Sequence, residues 1–204
     1  MPRATLIESE ATARRILAAS RELFADRGYA AVGLEQIAAQ AGVTRGAVYH
    51  HFASKEGLFG AVAAASQAQV AVEVESAADS ESDDWSGLLA GCRAFLGATL
   101  DDRSRRILLI DAPAVLGWAR WRGQDAAASG RHLEEALTTL AAAGVISVAS
   151  VPGATALISG ALNEAALQIA ESPDRAAALD TLWPDVERLL EAFRAPREFS
   201  ATPD

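Results

Sequence analysis

Apolar residues recur at intervals of three and four along almost the whole of this 204-residue chain, and alternating strand-like runs are almost absent. That spacing is the period of a helix with one buried stripe, so it predicts an all-α protein. Ile16, Leu17, Ser20, Leu23 and Phe24 make the first stripe and Gly28 ends it, which predicts a helix from about Ser9 to Arg27. A short helix follows over about Leu34 to Ala41, closed by Gly42. Thr44 can cap another from about Arg45 to His51, and Ser54 can cap a fourth through Leu58, Phe59 and Val62. The acidic, aperiodic stretch Glu75–Asp84 reads as a linker. Beyond it, Trp85, Leu88, Leu89, Cys92, Phe95, Leu96, Thr99 and Leu100 return to the helical spacing. A helix over Arg103–Ile110 is expected to break at Pro113, and a long one to run from near Gly117 to just before Gly144. The last two are bounded by Pro152 and Pro173, with a kink rather than a stop at Pro184.

Composition narrows the function classes. Half of the residues are apolar and 22% charged, which argues against a chain disordered throughout. A single cysteine, Cys92, excludes an intrachain disulfide framework and a cysteine-based zinc site. Met1–Glu10 lacks the apolar core of a secretory signal, and no run approaches the roughly 18 uninterrupted apolar residues of a membrane span. The expectation is a cytoplasmic protein with no membrane partner. The formal net charge is −9, so long-range forces repel phosphate and any nucleic-acid contact must come from a local patch. Residues 1–59 hold seven basic and six acidic side chains, and the remainder 11 and 21, so the acidic body carries a near-neutral N-terminal module. The one lysine, Lys55, lies in that module.

Two short helices separated by Gly42-Val43-Thr44 have the layout of a helix-turn-helix. The glycine permits the sharp turn, Val43 plugs the gap, and Ile37, Ala38, Val48 and Phe52 are the expected shared core. Thr44, Arg45, Gly46, Tyr49 and His50 then face outward. Such a face fits a major groove: arginine reads guanine with two hydrogen bonds, and small Gly46 and Ala47 let the backbone approach base edges. Tyr49, His50 and Lys55 are placed to donate to phosphates, helped by the helix start near Ser54. Tyr49 also suits a core aromatic, and His51 suits packing or capping better than DNA contact. Neighbouring His50 and His51 point about 100° apart on a helix, so no metal site is expected.

Ala13 to Phe59, from Ala-Arg-Arg-Ile-Leu-Ala-Ala-Ser-Arg-Glu-Leu-Phe-Ala-Asp-Arg-Gly-Tyr to Gly-Val-Thr-Arg-Gly-Ala-Val-Tyr-His-His-Phe-Ala-Ser-Lys-Glu-Gly-Leu-Phe, closely resembles the DNA-binding domain of the TetR family of bacterial transcriptional regulators. The resemblance covers about a quarter of the chain. It implies a three-helix DNA-binding domain over residues 1–53 and a helical effector-binding and dimerisation domain over 54–204, with 54–74 as the linking helix. It also places Thr44, Arg45, Gly46, Tyr49, His50 and Lys55 at the family's DNA-contact positions. Where the family often carries Thr-Ser before the second helix, this chain has Val32-Gly33, so a hydroxyl contact to phosphate is lost while backbone amides there still offer donors.

The C-terminal body carries less chemistry. Arg106–Trp118 and Gly160–Leu167 look like segments common in TetR-like C-terminal domains. Asp111, Asn163 and Glu164 are polar residues in apolar surroundings, to be hydrogen-bonded, exposed or turned towards a cavity. Cys92, Phe95, Trp118 and Trp121 fit either core packing or the lining of a pocket. Together these seven are the candidate ligand-binding residues, for a small molecule of unknown identity. Small residues at Gly153, Ala154, Gly160, Ala161, Ala165 and Ala166, with the stripe Leu179, Leu182, Val186, Leu189, Leu190 and Phe193, predict a homodimer through the last two helices, about residues 152–195. The expected function is a ligand-responsive dimeric regulator, in the simplest form a repressor released from a palindromic operator. A non-inducible DNA-binding protein, acting architecturally or through a protein partner, is the alternative. No nucleophile with an adjacent base and no cofactor motif is present, so neither catalytic residues nor a cofactor are expected.

Overall fold

A computed structural model describes residues 3–196. Among them there are helices and turns but no strand. The helices are α1 (Arg3–Arg27), α2 (Leu34–Ala41), α3 (Arg45–Phe52), α4 (Lys55–Asp79), α5 (Asp84–Gly97), α6 (Asp102–Arg105), α7 (Ala112–Leu116), α8 (Trp118–Ala127), α9 (Ser129–Ala142), α10 (Val151–Glu171) and α11 (Arg175–Glu191). A 3-10 turn covers Ala98–Leu100, and a π-helical segment, Arg106–Asp111, joins α6 to α7.

The chain forms two compact units, Met1–Gln69 with Ala98–Asp125, and Val70–Gly97 with Ala126–Asp204. Residues 1–2 and 197–204, at the outer limits of the expected domains, lie outside the described residues.

In the first unit α1 packs on α2, α3, α6 and the π segment. Ile16, Leu23, Phe24, Val32, Ile37, Ala38, Val48, Leu58 and Phe59 are buried there. Phe24, Tyr29 and Phe59 meet edge-on or tilted with centroids 5.1–5.8 Å apart, an arrangement that ring quadrupoles favour. In the second unit α5, α9, α10 and α11 pack together around Leu88, Leu96, Leu137, Leu140, Ile158, Ile169, Leu179 and Leu190. Arg194 lays its guanidinium 4.6 Å from the Trp85 ring, and an isolated bridge between Ile146 and Arg194 ties the end of the described chain to the loop after α9.

Several expected boundaries hold and four move. Gly42 adopts the left-handed conformation (φ 65°, ψ 39°) that stops α2, and Gly144 (φ 70°) follows α9. α11 runs continuously through Pro184. α1 begins at Arg3 rather than Ser9. The linker expected over Glu75–Asp84 shrinks to Ser80–Asp83, because α4 stays helical to Asp79 and rests its last turns against two glycines of α5. A Cβ on Gly87 would stand 3.1 Å from the Ala78 carbonyl oxygen. Pro113 does not end its helix: the preceding residues widen to a π turn, with Ala112 N–H bonded to the Ile107 carbonyl, and Pro113 sits in the first turn of α7 where its missing N–H costs little. The helix expected from Gly117 to Gly144 is split at Ala128 (φ −105°, ψ −100°), with neither proline nor glycine at the break.

α4 is the one described helix whose length and composition would allow it to cross a membrane. Its most apolar window is 56% buried inside the protein and includes the buried polar side chains Ser66 and Gln67, which marks it as a core helix.

Candidate nucleic-acid interface

Thr44 starts α3 because its hydroxyl accepts from the Ala47 amide at 3.2 Å, satisfying one of the donors a helix start leaves unpaired. At the preceding turn Val43 N–H reaches the Ala38 carbonyl at 3.0 Å, closing α2 through the left-handed Gly42. α3 is only eight residues long and buries one side chain fully, Val48. Thr44, Arg45, Gly46, Tyr49 and His50 are all exposed, Val43 and Ala47 are half-buried, and so is Phe52, which sequence assigned to the shared core. Gly46 has no neighbour closer than 3.8 Å to a built Cβ, so its backbone is open to approach.

Arg45 lies across this face. Its Nη1 is ion-paired with Glu35 of α2, its Nη2 donates to the Tyr49 hydroxyl at 3.2 Å, and its guanidinium carbon is 5.3 Å from the Tyr49 ring centroid. The Tyr49 hydrogen bond, then the Glu35 carboxylate, hold its charge above even the ordinary arginine range. His50 and His51 stack edge-to-face at 5.4 Å.

At the start of α2, Val32 is 1% exposed and belongs to the core, which explains why an apolar residue occupies that position. The Gly33 amide, one of the donors expected to be available for phosphate, is bonded to Gln36 Oε1 at 2.9 Å.

Lys55 opens α4, half-buried, with its ammonium 4.1 Å from the Tyr29 ring centroid. Desolvation pushes its charge below the ordinary lysine range, and the Asp111 carboxylate works in the opposite direction. Asp111 Oδ2 accepts from the Tyr29 amide at 2.8 Å. Burial and nearby Glu56 push the Tyr29 phenol upward. Lys55, Tyr29 and Asp111 thus form one cluster between the end of α1, the start of α4 and the π segment.

The seven predicted ligand residues are divided between the two compact units. Asp111, Trp118 and Trp121 belong to the first compact unit, and Cys92, Phe95, Asn163 and Glu164 to the second. Asp111 is half-buried and holds Tyr29, as above. Trp118 is exposed (60%), Trp121 is buried, and their centroids are 4.8 Å apart. Cys92 is buried and Phe95 half-buried. Asn163 is buried and donates from Nδ2 to the Ser159 carbonyl of its own helix at 2.9 Å, while Glu164 is exposed. Sequence reasoning missed Gln124, whose Nε2 donates to the Gly60 carbonyl at 3.0 Å, and Arg120, which reaches Glu56 at 3.4 Å. It also missed that Ser66 Oγ, Trp121 Nε1 and Gln124 Oε1 are buried without a hydrogen-bond partner. Glu35 escaped it as well, since spacing along α2 says nothing of a side chain on α3.

The exposed polar α3, capped by Thr44 and following a glycine turn, is the geometry shared with a known class. The profile "Bacterial regulatory proteins, tetR family" matches residues 16–62, and "Tetracyclin repressor-like, C-terminal domain" matches residues 85–193. The chain belongs to the TetR family. A TetR-family transcriptional regulator from Pectobacterium atrosepticum has a similar crystal structure, with a TM-score of 0.80 and 37% identity, covering 96% of this chain and 99% of that one. The transcriptional regulator AcrR of Shigella flexneri is 34% identical over 110 residues, 53% of this chain and 51% of that protein. The TetC protein of transposon Tn10 from Escherichia coli is 28% identical over 109 residues, 53% and 55% of the two chains. These matches span about half the length of the curated relatives. The family and the relatives it matches are transcriptional regulators rather than enzymes.

Proposed function

We propose that the protein is a ligand-responsive homodimeric TetR-family regulator, most simply a repressor that leaves a palindromic operator when a small molecule binds. The observation that carries the reading is the exposed face of α3, where Thr44, Arg45, Gly46, Tyr49 and His50 stand free of the core while Val48 alone anchors the helix. Arg45 and Tyr49 read or brace the major-groove edge, Gly46 admits the backbone, and Thr44 and His50 meet phosphate. Lys55 contributes charge from the start of α4. The division of labour is a DNA-binding domain over residues 1–53 and an effector and dimerisation domain over 54–204, with 54–74 linking them, in a protein that works in the cytoplasm.

Dimerisation through α10 and α11 is supported by what those helices leave outside. Leu157 is 69% exposed and Leu189 41%, and Gly153, Ala156 and Gly160 lie exposed beside Leu157. Apolar and small residues on one helix face let a second copy approach closely. Twofold symmetry would set the two α3 helices about one DNA turn apart, roughly 34–36 Å. Effector binding is supported by Trp121 Nε1 and Gln124 Oε1, a buried donor and a buried acceptor on successive turns of α8, since unpaired buried polar groups are costly unless something satisfies them. The remaining candidates, Cys92, Phe95, Asp111, Trp118, Asn163 and Glu164, would act with them or support them by packing. A ligand acts only through its preference between two states, so a coupling of about 1–3 kcal/mol loosens DNA binding some 5- to 150-fold.

Selection of duplexes from a random pool by the full-length protein tests this. The retained sequences should carry an inverted repeat, and Arg45→Ala should weaken binding to them about 5- to 150-fold and relax base preference at one position. Failure to retain any duplex at low salt would overturn the reading.

A further inference from the structure

The guanidinium best placed to read a base is already engaged by the protein itself. Glu35, in the first turn of α2, takes Arg45 Nη1, and Tyr49, one turn along α3, takes Nη2. Both arms of the planar fork therefore end on hydrogen-bond acceptors, as they would on the O6 and N7 acceptors of guanine in a major groove. Resting on the reading of α3 as the base-reading helix, we propose that Glu35 is a specificity-determining positioning residue, which holds Arg45 as an internal stand-in for guanine and withholds it from indiscriminate contact with phosphate.

The physical case is one of exchange. Non-specific attraction to DNA comes from unneutralised positive charge, and each phosphate that a cation neutralises adds about 0.9 to the salt slope. Residues 1–59 have a surplus of one positive charge, so a carboxylate sitting on the best-placed arginine removes a large share of what this module can offer a random duplex. The Arg45 and Glu35 side chains are 55% and 65% exposed, and an exposed ion pair shifts an equilibrium by no more than about fivefold. The pair is therefore weak enough for a good acceptor to displace. A base edge that offers two aligned acceptors replaces both bonds Arg45 gives up. A diffuse field of phosphates replaces them poorly, and it repels the freed Glu35 carboxylate. Glu35 in this way lowers affinity for all DNA but lowers it most where no guanine receives Arg45.

The measurement is the ratio of two dissociation constants for the full-length protein, on the duplex it selects from a random pool and on an unselected random duplex of the same length. Glu35→Gln removes the charge and keeps the shape, and a thermal melt confirms that it folds. We expect tighter binding to the random duplex, a salt slope there steeper by about one, and a specificity ratio lower by about two- to fivefold. In an Arg45→Ala background the same change should leave the ratio where Arg45→Ala alone puts it. The proposal is overturned if both duplexes gain equally from Glu35→Gln, which would make Glu35 a mere nearby charge, or if the ratio falls as much without Arg45. If Arg45→Ala itself leaves the ratio at the wild-type value, the assignment of α3 as the reading helix fails, and the proposal with it.

Discussion

Most side chains in this protein bond to partners within a turn of themselves, and a few reach partners far away in sequence. The Thr44 cap was legible because a hydroxyl and an amide three residues apart meet whenever a helix starts there. The bond from the Tyr29 amide to Asp111 was not, since 82 residues separate the two and only the packed chain brings them together. Cys92 is a case where sequence left two roles open, pocket lining or core. Burial pushes its thiol from the ordinary 9.0 up to about 12, so the folded protein keeps the proton at pH values where an unfolded chain loses it. Two consequences are measurable. Iodoacetamide at pH 8.5 should label Cys92 only as fast as the protein opens, and stoichiometric labelling within minutes without denaturant would contradict this. Stability should also fall as pH rises from about 9 towards 12, because the unfolded state alone gains the thiolate there. A Cys92→Ala variant should lose less stability over that interval in urea titrations.

At the scale of elements, stops and caps followed from residue type while irregularities did not. Gly28 and Gly42 ended helices where expected because their positive φ costs glycine less than any residue with a Cβ, although Ala53 adopts φ 62° after α3. The π turn before Pro113 and the break at Ala128 have no such signature in residue type. The junction between α3 and α4 depends on an absent side chain: a Cβ on Gly57 would stand 2.3 Å from the carbonyl oxygen of Phe52. Backbone cannot swing aside, so Gly57→Ala should destabilise by roughly 1–3 kcal/mol and lower Tm by several degrees in a thermal melt. Gly60→Ala is the control. Its Cβ would meet the Arg120 guanidinium at 2.5 Å, the far end of a flexible arm that can move off, so its loss should be clearly smaller. Equal losses would mean that the turn tolerates a shift of Phe52.

For the whole molecule, the helical period and the long N-terminal motif made fold and family readable from sequence, and the two profile matches bear them out. The candidate effector site was not readable, because apolar helices look alike whether they line a cavity or fill a core. Only their division between two compact units separates Asp111, Trp118 and Trp121 from Cys92, Phe95, Asn163 and Glu164. Assembly is the property most open to test. Leu157→Glu places a charge on the most exposed leucine of α10, where it costs a lone chain little and a twofold interface much. Sedimentation should show a monomer at micromolar concentration and operator binding should collapse. A variant that remains dimeric would move the interface elsewhere.

The four tryptophans fall two to each compact unit, Trp118 and Trp121 in one and Trp85 and Trp183 in the other. Three are buried and Trp118 is not. The protein therefore carries its own optical reporters: Trp118 should emit furthest to the red and yield first to acrylamide, while light from the other three follows the integrity of the two cores without any attached dye.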